Sequence, residues 1–260
     1  MDRIKVLVAG ANGKMGKQVV QMILSDKELE YVGGVDISQD DSLLNFGSKK
    51  IYSSLNEAII NEKPDVLVDF TRPDSVKENI EIAIKMGVSP VVGTTGLSLD
   101  DVSYLDKLAI ESEIGGIVAP NFAIGAILMM RFASMAARYM PNVEIIELHH
   151  DQKLDAPSGT AIKTAELIAK ERELIQQGHP EEKEIIQGAR GGEYSGFRIH
   201  SLRLPGLVAH QEVIFGDQGQ TLTIRHDSIN RESFMPGVNL AIKRVKGFSG
   251  IIYGLDHLLD

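Results

Sequence analysis

The chain has 260 residues, no cysteine and a formal net charge of −9. That length allows one large domain or two modest ones. The lack of Cys excludes disulfides, thiolate nucleophiles and cysteine-bound zinc. The acidic balance argues against a general nucleic-acid binder, which needs a basic surface, so an anionic substrate must be drawn by local cations. Met1 to Lys5 run straight into a short apolar stretch and glycines, without the long apolar core of a signal peptide. The longest apolar run, Phe122 to Met130, falls far short of the ~20 residues a spanning helix needs. The expectation is a cytoplasmic protein with no membrane and no nucleic-acid partner.

The first half alternates strand and helix signals. Ile4 to Ala9 is an apolar run ending in Gly10, and from Lys14 the apolar residues Met15, Val19, Met22 and Ile23 recur at helical spacing. Tyr31 to Val35 reads as a second strand, closed by Asp36. Ser54 and Glu57 have capping-box spacing before a short helix around Ala58 to Ile60. Asp65 to Phe70 is a strand, Ser75 to Met86 a helix with Gly87 placed to end it, and Pro90 to Thr95 a strand. Ser98 and Asp101 can start a helix running to about Glu113, before the strand Ile114 to Ala119. Such alternation implies β-α-β crossovers and a parallel sheet covered on both faces.

After residue 121 the pattern changes. Phe122 to Met140 reads as one long helix stopped by Pro141, Val143 to His150 as a strand, and Thr160 to about Glu173 as a helix. Phe197 to Leu204, Gln211 to Phe215 and Thr221 to Arg225 read as strands, with Gly216-Asp217-Gln218-Gly219 as a hairpin turn. Gln176 to Gly196, rich in Gly and charge, is the expected mobile loop. From Arg231 a helix and a short apolar strand, Ile251 to Tyr253, are expected to pack back on the first domain.

Gly10-Ala11-Asn12-Gly13-Lys14-Met15-Gly16 lies between the first strand and the first helix. Glycines there let backbone approach a pyrophosphate, and the helix N-terminus offers N–H donors and a positive dipole end. Gly13 and Gly16 fit the second and third glycines of the dinucleotide fingerprint, while Ala11 stands where the first would be. Asp36 ends the second strand ~20 residues on, where an acid reaches a ribose hydroxyl. Asp36 favours NADH, because a carboxylate repels a 2′-phosphate; Lys14 is the one cation placed to tolerate it, so NADPH stays open. Gly93-Thr94-Thr95-Gly96 and Ala119-Pro120-Asn121-Phe122 follow later strands, whose C-termini face the ligand crevice of a parallel sheet. Either tetrapeptide taken alone is ordinary turn chemistry.

Glu147-Leu148-His149-His150-Asp151-Gln152-Lys153-Leu154-Asp155-Ala156-Pro157-Ser158-Gly159-Thr160-Ala161 is the most informative stretch. Adjacent histidines on a strand point to opposite faces, and no third ligand sits at helical spacing, so no metal is expected. A histidine can move protons near neutral pH. Lys153 can hold a carboxylate or donate a proton. Ser158-Gly159-Thr160 opens a helix and forms an anion cradle. Together they suit a small dicarboxylate. Singly, each residue is better read as a core His, a solvated Lys or a plain helix cap.

That string resembles the signature of the dihydrodipicolinate reductase family, E-L-H-H-x-x-K-x-D-A-P-S-G-T-A, at every fixed position. The glycine turn, Gly93 to Gly96 and Ala119 to Phe122 match in family order, so the resemblance covers essentially the whole chain. It implies an α/β protein. Residues 1–121 with 231–260 would form a Rossmann-like dinucleotide-binding domain, and 122–230 a smaller α+β substrate and oligomerisation domain whose sheet builds a homotetramer. The implied reaction is NAD(P)H-dependent reduction of 4-hydroxy-tetrahydrodipicolinate to tetrahydrodipicolinate, with loss of water, in lysine and diaminopimelate biosynthesis. Gly10, Ala11, Asn12, Gly13, Lys14, Met15, Asp36, Gly93, Thr94, Thr95, Ala119, Pro120, Asn121 and Phe122 would hold the cofactor. His149 resembles the family's proton donor or acceptor and Lys153 its proton donor. His150, Gly159 and Thr160 resemble substrate-carboxylate contacts, with Ser158 beside them. Domain closure would complete the site. Ile37 departs from the family, some members of which carry a basic residue there. The rival readings are another NAD(P)-dependent small-acid dehydrogenase and a dinucleotide-sensing regulator.

Overall fold

The structure, a computed structural model, describes residues 2–37 and 49–259. Its strands and helices in chain order are β1 (Ile4–Ala9), α1 (Lys14–Ser25), β2 (Leu29–Val35), β3 (Ile51–Tyr52), α2 (Leu55–Glu62), β4 (Val66–Asp69), α3 (Val76–Lys85), β5 (Ser89–Val92), α4 (Leu99–Glu111), β6 (Gly115–Val118) and α5 (Ile124–Ala137). They continue as β7 (Asn142–His149), α6 (Gly159–Glu171), β8 (Gly192–Tyr194), β9 (Phe197–Arg203), β10 (Ala209–Asp217), β11 (Gln220–Ser228), α7 (Met235–Arg244) and β12 (Gly250–Tyr253). The chain divides into two compact units, residues 1–124 with 231–260, and 125–230. No helix among the described residues is long and apolar enough to cross a membrane.

The first unit is built on a parallel seven-stranded sheet in the order β12-β6-β5-β4-β1-β2-β3. Its central strands are continuous apolar runs because helices cover both faces: Val6, Leu7, Val8, Val66, Leu67 and Val68 have no exposed surface. The strand order reverses between β1 and β4, so the crevice at their C-terminal ends is the ligand position expected of an open α/β sheet. The C-terminal segment returns as expected, with β12 parallel to β6.

Local signals set most of the boundaries. Ser98 and Asp101 form a reciprocal capping box at α4. At α2 only half of the box forms: Ser54 accepts from the Glu57 N–H, while the Glu57 carboxylate pairs with Lys50 at 3.1 Å. β5 ends at Val92, which leaves Gly93 to Thr95 as a loop and not a strand end. The helix expected over 122–140 is shorter, at Ile124–Ala137. The Asn121 side chain accepts from the Ala123 N–H and turns the chain before the helix starts. At the other end Pro141 disfavours helical geometry for Met140, and the N–H groups of Tyr139 and Met140 both turn to the Ala136 carbonyl.

The second unit is a mixed five-stranded sheet, β11-β10-β7-β9-β8, with β7 parallel to β9 and the other pairs antiparallel. Helices α5 and α6 pack on one face, where Met129, Ala133, Ala161, Ala165 and Ile168 meet Val143, Ile145, Phe197, Val213 and Phe215. The hairpin is tighter than expected. Asp217 pairs with Gln220, so the turn is Gln218-Gly219 alone, with Gly219 at φ +70°. The loop expected to be mobile carries anchors: Gln177 exchanges two hydrogen bonds with the Val143 backbone, and Arg190 bridges Glu144 and Glu182. Its end forms β8, a strand the sequence pattern did not indicate.

Candidate active site

The glycine turn follows β1. Gly10 has φ +75°, and a Cβ there would lie 2.5 Å from the Phe70 carbonyl oxygen. The tight-turn role of the first fingerprint glycine therefore falls to Gly10, while Ala11 is fully buried and packs against Gly34. At Gly16 a Cβ would lie 2.1 Å from the Gly10 carbonyl oxygen, so α1 can press on the turn only with glycine there. Gly13 caps α1 without a side chain, leaving the first helical N–H groups to an anion. Lys14 is exposed and Met15 partly so at the head of the same helix. The Asp36 carboxylate accepts the Asn12 N–H at 2.9 Å, which joins the end of β2 to the turn. Ile37 beside it is 82% exposed.

The other expected residues of this unit gather at the ends of β4, β5 and β6. Asp69, fully buried at the end of β4, accepts from the Thr71 N–H and hydroxyl, from Asn79 at 2.8 Å and from Thr94 at 2.9 Å. Thr94 thus turns its hydroxyl inward, whereas Thr95 is exposed. Phe70 stacks at 6.0 Å from Phe122 and closes over Gly93, where a Cβ would come within 2.1 Å of its ring. Ala119 and Phe122 are buried, Pro120 is exposed, and Asn121 caps the approach to α5. Sequence reasoning passed over Asp69, Phe70, Thr71 and Asn79. The only signal was the place of Asp69, Phe70 and Thr71 at the end of an apolar strand; Asn79, within α3, carried none.

The second cluster lies wholly within residues 125–230. β7 ends at His149, so His150 is off the strand and the opposite-faces argument does not apply to the pair. The chain turns at once, with the Lys153 N–H bonded to the His150 carbonyl. His149 is largely buried and directs Nδ1 at the Glu147 carboxylate; His150 is exposed. Lys153 Nζ sits 2.7 and 2.9 Å from the two Asp155 oxygens. Ser158 is buried: its hydroxyl accepts the Ala161 N–H as the N-cap of α6, and its own N–H points to Glu147 at 3.3 Å. Gly159 and Thr160 then head the helix, with N–H groups that have no carbonyl one turn behind them. Space is open around Gly159, since an added Cβ would meet nothing within 4 Å.

Glu147, with no exposed surface, is the centre of this cluster. Arg203 donates to both of its oxygens, at 2.8 and 2.9 Å. Burial pushes the Glu147 carboxyl up, but hydrogen bonds from Arg203, Ser201 and His149 outweigh it and hold the group below the usual range. Burial lowers His149, helped by the cations Lys153 and Arg203 and opposed by Glu147. Burial, the largest of these effects, prevails and favours the neutral imidazole.

A fully buried carboxylate beside a histidine, a lysine on the adjoining loop and a helix N-terminus with open space above it are groups of the kind that can move a proton next to an anion. The family description "dihydrodipicolinate reductase, N-terminus" matches residues 4–122, and "dihydrodipicolinate reductase, C-terminus" matches 125–259. The chain belongs to the dihydrodipicolinate reductase family. A family relative from Halalkalibacterium halodurans, named 4-hydroxy-tetrahydrodipicolinate reductase, is 55% identical over 99% of this chain and 100% of its own length. One of the same name from Bacillus subtilis is 51% identical over 100% and 99%. A solved dipicolinate-bound dihydrodipicolinate reductase from Paenisporosarcina sp. TG-14 is 47% identical, covers 99% of this chain and 100% of its own, and superposes with a TM-score of 0.90. An apo scyllo-inositol dehydrogenase from Lactobacillus casei, at 10% identity and TM-score 0.64, shares the fold alone.

Proposed function

We infer that this chain catalyses the NAD(P)H-dependent reduction of 4-hydroxy-tetrahydrodipicolinate to tetrahydrodipicolinate, with loss of water, in lysine and diaminopimelate biosynthesis. The observation that carries this is 51–55% identity, over essentially the full length, to 4-hydroxy-tetrahydrodipicolinate reductases, together with the His149, Lys153 and α6 cluster. Loss of NAD(P)H absorbance with the fresh product of dihydrodipicolinate synthase tests it. Turnover with that product, and none with homoserine-pathway or amino-acid substrates, is the expected result. The opposite pattern would favour another small-acid dehydrogenase, and no turnover at all a regulator.

The residues divide the work as follows. The turn of Gly10, Ala11, Asn12, Gly13, Lys14 and Met15 holds the dinucleotide pyrophosphate, Asp36 the adenosine ribose, and the loops Gly93 to Thr95 and Ala119 to Phe122 the far end of the cofactor. When bound, the reduced nicotinamide supplies a hydride. Lys153 donates a proton to the substrate, and His149 holds or accepts one at Nε2. His150, Gly159 and Thr160 bind the substrate carboxylate, the last two through their N–H groups. Ser158 keeps α6 in place below them. We expect Gly159→Ala to keep or slightly raise stability, since Ala costs less chain entropy there, by about 0.4–1 kcal/mol. Its methyl group would project into the space assigned to the carboxylate and raise KM with little loss of NADH affinity. Steady-state kinetics and thermal melting check this.

For the cofactor, we propose that NADH serves at least as well as NADPH. Asp36 can accept from free ribose hydroxyls and repels a phosphate, and the exposed Ile37 offers no cation. An Arg there binds phosphate with two donors in a fixed fork. Ile37→Arg should raise kcat/KM for NADPH relative to NADH about tenfold, equivalent to ~1.4 kcal/mol. A strong parental preference for NADPH would overturn this reading and point to Lys14.

We also propose a homotetramer formed through the sheet of residues 197–226. The face away from α5 and α6 keeps Ile146, Leu148 and Ile214 only partly buried and Leu202 exposed, an apolar surface suited to a second copy. Sedimentation at micromolar concentration should give the tetramer mass, and a stable monomer would refute it.

A further inference from the structure

Glu147 and Arg203 form a buried ion pair beside His149. Such a pair is a poor stabilising device: desolvation offsets most of the attraction, and apolar residues of similar volume often do as well. Its value must lie in what it holds. β7 and β9 run parallel with His149 opposite Arg203, and Glu147 lies two residues before His149 on the same strand face. Each Glu147 oxygen therefore meets Arg203. One also takes the Ser158 N–H, and the other faces His149 Nδ1. The second role of Arg203 is on the loop: it donates to the Asp155 carbonyl at 2.7 Å, while the Asp155 carboxylate grips Lys153.

We propose that Glu147 and Arg203 are positioning residues that hold His149 as a neutral imidazole with its proton on Nδ1, and fix the loop that presents Lys153. The reasoning is one of donors and acceptors. A carboxylate paired to Arg203 is an acceptor only, so the Nδ1 facing it carries the proton. In the neutral imidazole, which burial of His149 favours, Nε2 then keeps its lone pair as an acceptor, and Lys153 is left as the proton donor. The direction of the His149 shift agrees. This assignment rests on the reductase reading for its consequence but not for its measurement.

Nitrogen NMR of the full chain without substrate, near neutral pH, reads the His149 tautomer directly, and the expected result is a proton on Nδ1 and none on Nε2. Glu147→Gln alone strands Arg203 as an uncompensated buried charge, which disfavours folding, and the Gln oxygen can still accept from Nδ1, so the decisive variant is the double substitution Glu147→Leu with Arg203→Met, which leaves no unpaired charge and no acceptor at residue 147. It should bind NADH as the parent does, hold KM nearly constant, lose the single tautomer and drop kcat roughly 10²-fold, the cost of a misplaced group. A parental His149 protonated on Nε2 or on both nitrogens overturns the proposal. So does a double variant with unchanged kcat, or with lower kcat and the parental tautomer. If the parent fails to reduce the dihydrodipicolinate synthase product, the reductase reading fails instead, and the tautomer measurement still decides this one.

Discussion

Replacing Lys153 by Ala should lower turnover by about 10²–10⁴-fold, the usual worth of general acid–base assistance, with NADH affinity nearly unchanged. The affinity should hold because Lys153 belongs to the unit of residues 125–230, while the glycine turn belongs to the other. Stability should hold as well. The partner of Lys153 is Asp155, whose side chain is 60% exposed, and ion pairs at exposed carboxylates contribute about 0–1 kcal/mol. Freed of Lys153, Asp155 turns to water, and the Arg203 bond to its backbone carbonyl remains. A large fall in kcat with an intact melting temperature would therefore report chemistry. Lys153→Arg separates the two roles a lysine can have there. Arginine keeps the charge and can hold a carboxylate, but it does not release a proton in a protein. If Lys153 only binds, Arg restores most of the turnover; if it donates, turnover stays low while KM recovers. Weakened NADH binding in Lys153→Ala would sink the assignment.

What the sequence made legible was local. The alternation of apolar runs with helical periodicity fixed the parallel sheet, and the capping pair Ser98 and Asp101 fixed the start of α4. The string from Glu147 to Ala161 was legible because its members lie within one strand end, one loop and one helix start. Contacts across the fold were not. Glu147 is two residues from His149, and that spacing put both on one strand face. Its other partner, Arg203, is 56 residues away and is reached only through the parallel pairing of β7 with β9, which no local pattern announces. Asp69 and Thr94, 25 residues apart, meet for the same reason, across neighbouring strand ends. The fingerprint misled at Ala11 because the left-handed residue of the turn is one position earlier, at Gly10. His150 misled because no turn residue stands before Asp151 to stop the strand pattern, while the turn closed by Lys153 ends the ladder at His149.

Gly16→Ala is expected to abolish most dinucleotide affinity and to destabilise the first unit. The added Cβ would stand 2.1 Å from the Gly10 carbonyl oxygen and 2.8 Å from the Ala11 Cα. Both are backbone atoms of the turn itself, so no side chain can swing aside. Either α1 moves away from the turn, or the turn moves and its N–H groups lose their common focus on the pyrophosphate. Overpacking of this kind costs about 1–3 kcal/mol, and displacement of the anion cradle should weaken NADH binding at least tenfold, or ~1.4 kcal/mol. A second glycine separates collision from general intolerance of substitution. Gly87 follows α3 at φ +76°, with nothing within 4 Å of an added Cβ. Gly87→Ala should cost only the left-handed penalty, about 1–2 kcal/mol, and leave NADH affinity alone. Fluorescence titration with NADH and thermal melting of both variants give the comparison. If Gly16→Ala binds NADH as tightly as the parent, the turn after β1 is not the pyrophosphate cradle. If both variants lose affinity alike, the effect is one of stability and says nothing of the contact between α1 and the turn.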